Sequence, residues 1–209
     1  ISSEDRIAEY LISVKAIKLQ PNNPFTWASG WKSPIYCDNR KTLSYPEIRT
    51  YIKDELVRNV REKYPDAEVI AGIATGAISQ GVLVADALGL PFIYVRSKPK
   101  DHGLENLIEG DLRPHQKVVV IEDLVSTGHS SLAAVDAIRK DAGNVLGMLA
   151  IFSYQLRIAA ERMEAANVQL TTLCNYDSIL RHALDTKYIT EKECETLQEW
   201  RKNPENWMR

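Results

Sequence analysis

The sequence predicts an α/β fold, a mostly parallel twisted sheet flanked by helices, and three observations carry that expectation. Short apolar, β-branched runs recur at 69–73, 92–95, 118–121, 145–152 and 168–173. They are apolar throughout rather than alternating, which suits strands buried on both faces, the habit of parallel sheets. Segments of helical length and period at 77–88, 130–142 and 158–166 lie between most of them, so right-handed βαβ crossovers and a doubly wound sheet follow. In that architecture ligands bind at the carboxyl ends of the strands.

The flanking elements follow in order. Ser3 can cap a short helix on which Ile7, Leu11 and Val14 recur at helical spacing. A turn, Gln20-Pro21-Asn22-Asn23-Pro24, leads to extended pieces around Phe25-Thr26-Trp27 and Ile35-Tyr36-Cys37. These make a small N-terminal α+β region, 1–45, ahead of a main domain, 46–209. Pro46 suits the first turn of a helix striped by Ile48, Ile52, Leu56 and Val60. Near the end, Thr190 and Glu193 form a capping box that opens a last helix to about Lys202. One interval, 96–116, breaks the alternation of strand and helix. A connection that long reads as a flexible lid or binding loop, the alternative being a disordered surface insertion. Arg96, Lys98, Lys100 and His102 concentrate positive charge at its start.

Composition narrows the function. With 209 residues, 44% of them apolar, the chain can bury roughly 70% of its unfolded surface. Lys and Arg number 26 against 28 acids, and the isoelectric point is about 6.1, so no nucleic-acid partner is expected from a global field. The longest apolar stretch, 145–152, is far short of the ~20 residues of a membrane helix, so no membrane partner is expected either. Ile1, Ser2, Ser3, Glu4 and Asp5 put acids where a signal peptide has bases. Cys37, Cys174 and Cys194 are odd in number and lack CxxC spacing. Free, inert thiols and a cytoplasmic location are the simplest expectation.

The most informative segment runs Val118-Val119-Val120-Ile121-Glu122-Asp123-Leu124-Val125-Ser126-Thr127-Gly128-His129-Ser130. A buried strand ends in two acids, then a loop of small hydroxylic residues and glycine, then a helix. Ser126 to Ser130 would offer backbone N–H groups and hydroxyls at a helix N-terminus, where the dipole favours phosphate. Gly128 permits close approach of the backbone. Glu122 and Asp123, one step earlier, suit the vicinal hydroxyls of a sugar, so the pattern suggests a ribose 5-phosphate held at both ends. The alternative is an ordinary strand-to-helix turn in which Asp123 only caps. No GxxxxGK[ST] is present, and no GxGxxG follows the first core strand. A second turn, Ala71-Gly72-Ile73-Ala74-Thr75-Gly76-Ala77, could admit a pyrophosphate to its amides, although alone it is as well read as close packing.

The 118–130 segment resembles the phosphoribosyl diphosphate (PRPP) signature of the type I phosphoribosyltransferases. The N-terminal run from Phe25 to Arg40, F-x-x-x-SG-x-x-SP-x-Y-x-D-x-R, resembles the hood of the orotate phosphoribosyltransferases, and Arg96-x-x-x-Lys100-x-His102-Gly103 resembles their mobile loop. The likeness runs from about Tyr10 to Trp200. It implies transfer of a phosphoribosyl group from PRPP to orotate, with Mg²⁺ as cofactor and a homodimer with shared active sites. By resemblance Glu122 and Asp123 face the ribose hydroxyls. Leu124, Val125, Ser126, Thr127, Gly128, His129 and Ser130 surround the 5-phosphate, and Thr75 and Gly76 adjoin the pyrophosphate. Arg96, Lys100 and His102 would meet the leaving group, with Lys100, His102 and Asp123 as the catalytic residues. The metal would be held mainly by PRPP and water, near Glu122 and Asp123. Phe25, Tyr36 and Ser126 would border orotate, although aromatics alone would equally suit a small core. Many relatives carry Lys where this chain has Ala28, and some an Arg where it has Tyr154. The rival activities are purine or uracil salvage by the same core and PRPP sensing by a regulatory protein.

Overall fold

The computed structural model describes residues 1–98 and 106–208. Helix α1 (Ser3–Ser13) starts one residue earlier in its cap than expected, because the Ser2 side chain, not that of Ser3, accepts from the Asp5 amide. Strand β1 (Ile17–Leu19), the hairpin of β2 (Phe25–Thr26) and β3 (Lys32–Ser33), and β4 (Ile35–Cys37) follow, β4 pairing antiparallel with β1. A 3-10 helix, Asn39–Ser44, which the sequence pattern did not suggest, leads into α2 (Pro46–Lys63). Its side chains at Asn39 and Thr42 are buried, so polar rather than apolar groups anchor it and no apolar stripe announces it.

The main sheet begins with β5 (Val69–Ile73), followed by α3 (Ile78–Leu88), β6 (Phe92–Val95) and β7 (Ile108–Glu109). Then come β8 (Lys117–Val125), α4 (His129–Lys140), β9 (Asn144–Ser153), α5 (Arg157–Ala165) and β10 (Leu170–Asn175). Helices α6 (Tyr176–Asp185) and α7 (Glu191–Lys202) close the chain. The strand order is β10-β9-β8-β5-β6-β7, parallel except for β7. The interval 96–116 is therefore only partly loop: Ile108 and Glu109 pair back onto Val95 and Tyr94 of the edge strand. Helix α6 escaped the periodicity because it leaves β10 without a turn. Its signal is a capping box, Asn175 with Ser178, ahead of Ile179, Leu180 and Ala183.

The pleat sorts the strand residues between two cores. Val119, Ile121, Leu149 and Ile151 join a cluster with α1, α2, α3, α6 and α7. Val118, Val120, Met148 and Ala150 join another with α4 and α5. Successive strands move outward in both directions from β5, to β6 on one side and β8 on the other. The switch point thus lies between the ends of β5 and β8, where the loops before α3 and α4 face each other.

Candidate active site

Strand β8 supplies the spine of the site. It does not stop at Ile121: pairing with β9 continues through Glu122↔Ala150 and Leu124↔Phe152 to Val125↔Ser153, so both acids lie within the strand. They diverge. Glu122 is 5% exposed and faces α4, accepting from the Ser131 hydroxyl at 2.7 Å and the Asp123 amide at 2.9 Å. Burial, reinforced by the neighbouring Asp123, pushes its carboxyl well above the usual range. Asp123 faces the turn before α3, and a Cβ at Gly76 would collide with its carboxylate. Glycine is required there by space, not by φ.

Both acids border a cleft of about 410 Å³ whose walls include Ala74, Arg96, Ser126, His129 and Ser130. Helix α4 starts with Gly128 as N-cap at φ 82°; the His129 amide makes a long contact, 3.5 Å, with the Thr127 hydroxyl, and the next amides of the first turn remain available to an anion. The loop is braced from behind by α5: Arg162 donates to the Thr127 carbonyl at 3.1 Å, and Ala159 and Met163 lie beneath Gly128. Val125 turns its side chain into the core, and its carbonyl accepts from the Tyr154 amide, so that side chain supports the loop rather than facing the cleft. Arg96 is held at the edge by Glu109, 3.3 Å away.

A second cleft, about 300 Å³, opens under the hood between Trp27, Ala28, Tyr36 and Cys37 on one side and Leu124, Ser126 and Tyr154 on the other. Leu124 and Ser126 line both clefts, which therefore meet there. Its floor is an aromatic stack. Tyr154 sits 5.1 Å from Trp27 and 5.8 Å from Trp200, and Trp200 meets Trp27 edge-on at 5.4 Å. Trp200 also donates from Nε1 to the Lys32 carbonyl at 3.0 Å, so the C-terminal α7 pins the hood hairpin. Burial raises the Tyr154 hydroxyl and the Cys37 thiol well above their ordinary values, so both stay neutral and the wall carries no negative charge of its own there.

No family model matches the chain. It is 64% identical over 201 residues to the orotate phosphoribosyltransferase of Porphyromonas gingivalis, an alignment covering 96% of both chains. The chain belongs to the orotate phosphoribosyltransferase family. Among solved structures, orotate phosphoribosyltransferase from Aeropyrum pernix superposes with a TM-score of 0.77 at 24% identity, over 88% of this chain and 99% of that one. Leishmania donovani UMP synthase gives 0.79 at 22% identity over 95% of this chain, which spans only 42% of that protein. These two establish the fold alone, a type I phosphoribosyltransferase core.

Within the site, the anticipated residues gather unevenly. Glu122, Asp123, Leu124, Ser126, His129, Ser130 and Arg96 share the larger cleft. Thr127 and Gly128 form the loop beside it, and Thr75 and Gly76 the facing turn, which contains a cis peptide between Ala74 and Thr75. Tyr36 and Ser126 line the smaller cleft. Phe25 stands behind Tyr36, their ring centroids 5.6 Å apart, and is not among the lining residues. Lys100 and His102 lie outside the described residues. The sequence pattern missed Arg162, Ser131, Asn39 and Trp200, because each acts through a neighbour distant in the chain and carries no motif. Among the described residues no group of three or more His, Cys, Asp or Glu could enclose a metal.

Proposed function

We infer that the chain transfers the 5-phosphoribosyl group of PRPP to orotate, yielding orotidine 5′-monophosphate and pyrophosphate, a step of pyrimidine biosynthesis. The observation that carries this reading is the meeting of the two clefts at Leu124 and Ser126. A nucleophilic base in one and a sugar phosphate in the other would place the pyrimidine nitrogen against the anomeric carbon. The α4 amides and the Ser126–Ser130 hydroxyls suit the 5-phosphate, and the Asp123 carboxylate suits the ribose hydroxyls. Glu122 accepts from the Ser131 hydroxyl, so it also ties the strand to α4 beside the ligand.

As the diphosphate departs, positive charge grows on the ribose and negative charge on the leaving group, so catalysis is chiefly electrostatic preorganisation. Arg96, Lys100 and His102 would neutralise the pyrophosphate as it leaves. Of the two acids that border the larger cleft, Asp123 would suit an Mg²⁺ held mainly by the phosphates of PRPP and water. A cation held beside Asp123 would supply positive charge against the departing diphosphate. The family resemblance supports a homodimer with shared sites. Free Cys37, Cys174 and Cys194 accord with a reducing, cytoplasmic home, and none of the described helices is long and apolar enough to cross a membrane.

The direct test follows the near-ultraviolet absorbance of orotate with and without PRPP and Mg²⁺. Loss of absorbance requiring both additions is expected, and no change would overturn the assignment. Asp123→Asn should weaken PRPP binding by about tenfold or more, the loss of charge-assisted hydrogen bonds, and leave orotate binding nearly unaltered by calorimetry. Lys100→Ala should lower kcat by more than about tenfold in a folded protein, the scale of removing one charge-stabilising group.

A further inference from the structure

We propose that Asn39, a hood residue, is a positioning residue for the ribose end of the site, acting through the main chain of Asp123. This deepens the reading of the two clefts and rests on it. Asn39 is 2% exposed, and both polar atoms of its side chain are engaged. Its Nδ2 donates to the Asp123 carbonyl at 2.7 Å, and its Oδ1 accepts from the Cys37 thiol at 3.1 Å. Only this orientation of the amide satisfies both neighbours, since the carbonyl can only accept. The Asn39 carbonyl in turn accepts from the Thr42 hydroxyl at 2.6 Å, which fixes the residue at the head of its 3-10 helix.

The need for such a bridge follows from the sheet. Strand β5 pairs with β8 only as far as Gly72↔Ile121. Two residues later the half-buried Asp123 carbonyl has left that ladder and needs another donor. The hood supplies the donor. On its other flank the Asp123 carboxylate rests where Gly76 has no Cβ. Asp123 is thus held between the hood and the turn before α3, so an asparagine 84 positions away sets the angle at which its carboxylate enters the larger cleft. Through Cys37 the same side chain touches the wall of the smaller cleft. Removing it should therefore damage PRPP recognition, although the hood belongs to the pyrimidine end.

The test compares Asn39→Ala, Asn39→Asp and Thr42→Val with the parent enzyme by steady-state kinetics between about pH 6 and pH 9, and by calorimetric PRPP binding without any base. Asn39→Ala should raise the KM for PRPP by about tenfold and the KM for orotate by less than about threefold, the scale of one lost hydrogen bond. Asn39→Asp should behave likewise at high pH and recover as pH falls, because only a protonated carboxyl can donate to the Asp123 carbonyl. A purely structural role would give the two variants parallel pH profiles. Equal losses for both substrates, or parallel profiles, would sink the proposal. Should both Asn39 variants fail to fold, Thr42→Val decides: it loosens Asn39 without removing it, and an unchanged PRPP KM overturns the idea. Absence of orotate turnover by the parent enzyme would instead defeat the functional reading, and PRPP affinity across the same variants distinguishes that failure from this one.

Discussion

The turn leaving β8 and the pocket beneath the hood lie side by side and share Ser126, yet they are built by opposite means. The turn is local. Within 122–131 one contiguous segment supplies a buried acid, an open acid, a positive-φ glycine and the helix start, and its groups meet because the backbone brings them round. The pocket is assembled from Thr26 to Cys37, from Leu124 and Ser126, and from Tyr154, with Trp200 of the last helix beneath it. The turn offers amides and a carboxylate, the pocket neutral aromatic walls. Anion recognition needs little more than a helix terminus and space, whereas a flat base needs surfaces from distant elements held at fixed angles.

That contrast breaks if damage to one region spreads evenly to both ligands. Trp200→Ala is the harshest probe of the pocket. Emptying a fully buried indole costs about 3–5 kcal/mol, and the hood hairpin loses its tie at the Lys32 carbonyl. Melting should fall by roughly 6–20 °C, at about 2–4 °C per kcal/mol for a chain of this size. Where the protein still folds, the KM for orotate should rise well before that for PRPP. Equal rises would mean the two regions are one unit.

Gly76→Ala sharpens the other side. The added methyl meets the Asp123 carboxylate and displaces it, so the KM for PRPP should rise by about tenfold or more, as for other displacements of this size near reacting groups. Orotate affinity, read by calorimetry, should barely move. A smaller effect is expected from Glu122→Gln. Because burial raises the folded pKa of Glu122, the stability linked to its proton is complete below about pH 4.3 and is lost as pH climbs through the raised value. The neutral amide removes that slope. Relative to the parent, the melting temperature of Glu122→Gln should therefore improve progressively as pH rises above about 4.3, the change following the linkage relation. A difference independent of pH would mean that Glu122 titrates alike in the folded and unfolded chains.

Much of the core was legible before any coordinates. Continuously apolar runs at 69–73 and 118–121 named the parallel strands, and the small residues after Asp123 marked the turn into α4. The extension of β8 through Val125 was not, since acids and a loop-like composition hide a strand whose pairing is enforced by β9. Phe25 and Tyr36 look equivalent in the sequence, yet they sit on strands with different partners, and of the two Tyr36 lines the cleft while Phe25 packs against its ring.

What the chain alone determined is the set of groups that are contiguous and governed by backbone rules: sheet class, the glycine turn before α4, and the acids ahead of it. Tertiary structure decided that Glu122 is spent on Ser131 while Asp123 is open, that Arg162 braces the loop, and that Trp200 supports a pocket 170 or so residues earlier in the chain. Local propensities act over a few residues, whereas burial and partner choice depend on which faces the sheet and helices bring together, and no short-range pattern encodes that.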